Sequence, residues 1–148
     1  MRTSTPTTLY DRDFCAWTEE QINFIKDENF KNLDLKHLQE ELRIMGASEK
    51  RELSNRMSVL LMHLLKWKYQ PTHRVVSWEL TIKGQRLEVK DVLRDNPSLS
   101  VRLEDYLISA YAKAILKAAK ETQLSYKAFP ASCEWTIEQI FDDEFLPN

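Results

Sequence analysis

A chain of 148 residues, 43% apolar and 30% charged, has the size of one domain and is too apolar to be disordered. It has two glycines, Gly46 and Gly84, which excludes a turn-rich all-β fold and a glycine loop of the kind that cradles phosphates. The net charge of −2 is unevenly spread: residues 57–94 hold 7 Lys/Arg against 3 Asp/Glu, net +4, between flanks of −2 and −4.

Met1 to Tyr10 is polar and threonine-rich and reads as a flexible tail, without the apolar run of a signal peptide. A single helical domain is expected over 11–148. Its first helix runs from Asp11 to about Asn29, with Phe14, Trp17, Gln21, Phe24 and Ile25 near one face. Thr18 and Gln21 have capping-box spacing, which predicts a restart at Thr18. Asp34 is a good N-cap for a second helix with the stripe Leu35, Leu38, Leu42 and Met45, and Gly46 should end it. Ser48 then caps a long third helix, to about Gln70 before Pro71. From Met57 to Tyr69 most of its circumference is apolar, which makes it the central helix.

Pro71 to Arg74 turns the chain into a fourth helix, about Val75 to Arg94, with the stripe Val75, Trp78, Ile82, Val89 and Leu93. Arg86 falls in the middle of that stripe. Asp95-Asn96-Pro97-Ser98 is a stop and turn. A fifth helix, about Ser100 to Thr122, turns Leu103, Leu107, Ala110, Tyr111, Ala114 and Ala118 inward. Thr136 and Gln139 repeat the capping-box spacing and start a short last helix to about Asp143. Together these elements predict an all-α bundle of five to six helices with the third and fourth as a central antiparallel pair. No segment reaches the ~20 apolar residues of a membrane span. Cys15 and Cys133 belong to no metal-ligand pattern, and two free thiols suit a cytoplasmic chain.

The chemistry-bearing motifs are few. There is no G-x-S-x-G, H-E-x-x-H or P-loop, and His37, His63 and His73 are scattered. No catalytic residue, metal or cofactor is therefore assigned. Arg86 cannot shed its charge, so it must meet a carboxylate or an anion. Asp34, Glu41, Glu49 and Glu52 are the candidate internal partners; the alternative is a phosphate or carboxylate site. The corner between the third and fourth helices combines cations with aromatics: Lys66, Trp67, Lys68, Arg74, Trp78, Lys83 and Arg86. Single-stranded nucleic acid is held by this mixture of side chains, cations on phosphates and aromatics on bases. The competing reading is that the tryptophans pack the corner while the lysines reach out to solvent.

The run Leu60-Leu61-Met62-His63-Leu64-Leu65-Lys66-Trp67-Lys68-Tyr69-Gln70-Pro71 resembles the hallmark of the bacterial, mainly cyanobacterial, family known as "domain of unknown function 29". Asp13-Phe14 with Trp17, Leu33-Asp34-Leu35, Met45-Gly46, Ser77-Trp78, Gln85-Arg86, Asp95-Asn96-Pro97-Ser98-Leu99 and Phe129-Pro130 with Cys133 and Trp135 extend the likeness over about residues 10–147. Glu134 departs from it, where the family often has proline. The resemblance implies an all-helical domain and carries over no catalytic residue.

The leading functional reading is a non-enzymatic nucleic-acid- or phosphate-binding module that uses the corner. The alternative is a protein–protein interaction module, an adaptor or antitoxin-like subunit, docking through the acidic segment Phe141-Asp142-Asp143-Glu144-Phe145-Leu146-Pro147. An inter-helix carboxylate–His63 enzyme site is the third.

Overall fold

The computed structural model describes residues 8–148. Among them are six α-helices and no strand: α1 (Leu9–Arg12), α2 (Phe14–Lys26), α3 (Leu35–Tyr69), α4 (Val76–Asp95), α5 (Leu103–Thr122) and α6 (Ile137–Phe141). The fold is the expected all-α bundle. No helix among these residues is long and apolar enough to cross a membrane. Of the tail expected over 1–10, residues 1–7 lie outside the described residues, and Leu9 and Tyr10 belong to α1. The chain divides into two compact units, one ending at Gly46 and one spanning Ala47–Asn148.

The predicted second and third helices are one. α3 runs through Gly46 without a break, and no glycine adopts a positive φ, so the left-handed stop that Gly46 was expected to supply does not form. A glycine inside a helix costs only ~1 kcal/mol relative to alanine, which a 35-residue helix absorbs. Ser48, the expected cap, sits within it.

A second correction concerns Thr18. α2 starts earlier, at Phe14, capped by Asp13, whose side chain accepts from Ala16 N–H at 3.0 Å. Thr18 lies inside the helix and donates its hydroxyl back to the Cys15 carbonyl at 2.7 Å, the usual fate of an interior threonine. The capping box at Thr136 and Gln139 does form. α2 ends at Lys26, with Glu28 left-handed at φ 55° and Asn29 N–H bonded to the Phe24 carbonyl at 2.8 Å. That pattern is a Schellman stop built without glycine.

In the Ala47–Asn148 unit, Leu53, Met57, Leu60, Leu61, Leu64 and Leu65 of α3 are fully buried or nearly so. They pack with Ile82 and Val89 of α4, Ala110, Ala114 and Ala118 of α5, and Ile140 of α6. α3 and α4 run antiparallel. At one end Lys66 Nζ lies 4.5 Å from the Trp78 ring; at the other Asn96 Nδ2 donates to Glu49 at 3.3 Å. Pro71 forces the reversal through a 3-10 turn, Pro71–His73.

Candidate functional site

Of the seven residues singled out in the sequence, five lie at the corner where α3 meets α4. Lys66 is buried, its ammonium 2.6 Å from Glu121 of α5 and set over Trp78. Arg74 donates Nε to the Trp67 carbonyl at 2.8 Å, and its guanidinium lies 4.8 Å from the Trp67 ring, a cation–π stack. Lys68 faces Glu134 at 3.3 Å. Trp67 and Trp78 are half-buried, and Lys83 is exposed on α4. Lys66, Trp67, Arg74 and Trp78 are thus brought together, Lys68 beside them, while Lys83 and Arg86 lie further along α4.

Arg86 has no exposed surface and makes none of the expected ion pairs. Asp34 is taken by Trp17 and His37, Glu41 by Tyr10, Glu49 by Asn96 and Glu52 by Arg56. Arg86 instead donates Nε to the carbonyl of Ile140 at 2.8 Å, one terminal nitrogen to that of Asp143 at 3.4 Å and the other to that of Phe145 at 2.7 Å. The physical reason is that α6 is a five-residue helix followed by a non-helical tail, so the carbonyls of Ile140, Asp143 and Phe145 are left without helical partners. A forked, permanent donor satisfies them. Burial pulls the Arg86 guanidinium down from its ordinary pKa, while Asp143 and Asp142 act against that.

The same contacts fix the acidic C-terminal segment to its own unit. Asp143 meets Lys90 at 2.9 Å, Phe145 packs edge-on against Trp135, and Pro147 is buried. The hydrogen bond from Lys90 holds the Asp143 carboxyl below the usual range. His63 bonds through Nδ1 to the Val59 carbonyl at 3.0 Å, and burial lowers its pKa. Among the described residues no three His, Cys, Asp or Glu side chains group as metal ligands.

The N-terminal unit carries a second candidate region. Asp34 N-caps α3 as expected, accepting from His37 N–H at 3.3 Å. Its carboxylate also takes Trp17 Nε1 at 3.0 Å and His37 Nδ1 at 2.6 Å. Burial acts to raise its pKa, but the bonds from His37 and Trp17 outweigh burial and hold it below the ordinary value. Gln21, also buried, accepts from the Asp34 backbone N–H at 2.8 Å. Tyr10 stacks on His37 at 3.9 Å between ring centroids and donates its hydroxyl to Glu41, which pushes its pKa up to about 12. This network pins α1 and α2 to the first turns of α3.

The expected core stripes of this unit are largely in solvent. Phe14 is 49% exposed, Ile25 50%, Leu42 65% and Met45 65%, and Ile22 and Leu35 are also open. Among the described residues of this unit, Trp17 and Gln21 are the buried ones. Phe14, Ile22 and Ile25 of α2 face Leu38, Leu42 and Met45 of α3 across an apolar groove. Sequence spacing identified both stripes; it could not say that none of the unit's described residues would cover them.

The family model "Domain of unknown function DUF29" matches residues 9–146, and the chain belongs to that family. No curated protein and no solved structure matches it.

Proposed function

We propose that this chain is a helical protein-interaction module that docks a helical partner on the apolar face of its N-terminal unit. The observation that carries the reading is that face: six large apolar side chains, each near or above half exposure, on two adjacent helices. A contiguous exposed apolar patch at the upper end of what monomers carry is often an interaction site. The corner supports a nucleic-acid or phosphate site less well. The donors of Arg86 are spent on backbone carbonyls, the ammonium of Lys66 faces Glu121 and that of Lys68 faces Glu134, and Arg74 is held against Trp67, so little of the corner's positive charge is left for an anion.

Site-specific photocrosslinking in the native host tests this. A photoreactive residue at Leu42 or Met45 is expected to yield protein adducts through amphipathic helical peptides, this chain's own included. The same residue at exposed Lys113 should yield none. The reading is overturned if Leu42 and Met45 give no adduct while low-salt gel shifts on DNA or RNA are lost in Lys68→Ala and Arg74→Ala.

A further inference from the structure

We infer that the occupant of this face is a second copy of the same chain, two N-terminal units pairing about a two-fold axis into a four-helix arrangement. The inference rests on the docking reading above and names its partner.

Spacing is the first argument. Leu35, Leu38, Leu42 and Met45 follow the 3-4-3 rhythm of a coiled-coil seam, and the exposed Phe14, Ile22 and Ile25 lie within about 80° of one another around α2. The face is therefore two helices wide, with a ridge at Leu42 and Met45 beside a groove. An identical hairpin matches it in width and places ridge into groove in both directions, as an isologous interface requires.

Area is the second argument. Six large side chains at about half exposure leave on the order of 600 Å² of apolar surface per copy. Covering both faces removes roughly 1,200 Å² from water, the lower edge of what specific complexes bury.

Charge is the third. Residues 8–46 hold 9 Asp/Glu against 5 Lys/Arg, net −4. At 100° per residue Glu19, Glu20 and Asp27 lie on the opposite side of α2 from Phe14 and Ile25. The one carboxylate lining the groove, Glu41, is engaged by Tyr10. Two copies can thus meet face to face while their acidic sides point away. The remaining long-range repulsion is screened by salt, so association should tighten as salt rises. A basic peptide or helix on the same unit would show the opposite salt dependence.

Analytical ultracentrifugation of the full chain, from submicromolar to high micromolar concentration at low and high salt, decides the matter. A monomer–dimer equilibrium that strengthens with salt is expected. Leu42→Glu or Met45→Glu should weaken it at least ~30-fold, since each would bury an unpaired carboxylate in the partner's apolar groove. Both positions are solvent-exposed, and unchanged circular dichroism would confirm folding. Leu116→Glu, an equally exposed apolar position on α5, should leave the dimer intact. A monomer at every concentration overturns the inference, as does a dimer indifferent to both glutamates or one that Leu116→Glu dissolves. If the chain is monomeric and crosslinks from Leu42 reach a different protein, the second copy falls while the docking face stands.

Discussion

Arg86 illustrates what a single residue can and cannot disclose. Its position between Ile82 and Val89 on an apolar stripe marks it as a buried charge from the sequence alone. Its partners are invisible there, because they are main-chain carbonyls at Ile140, Asp143 and Phe145, and a carbonyl has no letter. Lys66 is the same case: Glu121 lies 55 positions away, beyond any helical spacing. Arg86→Met keeps the aliphatic stem and removes every donor. It leaves carbonyls unsatisfied in a buried setting, each costing ~1–3 kcal/mol, so about 3 kcal/mol of stability should be lost in urea unfolding. Arg86→Lys should recover only part, since an ammonium's donors radiate from one nitrogen and cannot span carbonyls that the guanidinium reaches from three. Asp143→Asn, which keeps the backbone carbonyl and weakens the exposed pair with Lys90, should change stability by less than ~1 kcal/mol. Equal losses in Arg86→Met and Asp143→Asn would mean that the carboxylate, not the carbonyls, holds this arginine.

At the level of elements, apolar periodicity located five long helical stretches, of which the second and third are one helix, and it read inward faces correctly mainly from Ala47 onward. Of the six positions read as inward on α5, Leu107, Ala110, Tyr111, Ala114 and Ala118 are buried and Leu103 is half-buried. Boundaries failed where a residue type has two fates. Threonine caps or bonds back to its own helix, and Thr136 does the first while Thr18 does the second. Glycine stops a helix only if it turns left-handed, and at Gly46 it does not. A methyl group added at Gly46 meets nothing within 4 Å, and the position is exposed. Gly46→Ala should therefore raise stability by ~0.5–1 kcal/mol, chiefly by restricting the unfolded chain. Thermal unfolding followed by circular dichroism would show a higher midpoint; a lower one would mean that α3 needs flexibility at this joint.

For the whole molecule, the decisive contrast is between what the two units bury. From Ala47 onward there is a continuous core drawn from α3, α4, α5 and α6, whereas residues 8–46 bury Trp17 and Gln21 and lean on the polar network around Asp34. Local opening free energies follow buried apolar contacts. α3 should therefore carry a step in hydrogen-exchange protection near Gly46, with amides of 38–45 exchanging faster than those of 57–65 in the same helix. The step is also where function would register. If a second copy covers Leu42 and Met45, protection over 38–45 and 17–25 should rise with protein concentration, while 57–65, already at the core limit, stays fixed. Leu42→Glu should abolish that rise and leave the core amides untouched. Mass-spectrometric exchange at two protein concentrations reads both effects together. Uniform protection along α3 would put the helix in one opening unit. A step without concentration dependence would leave the face open in solution, as a surface waiting for some other chain.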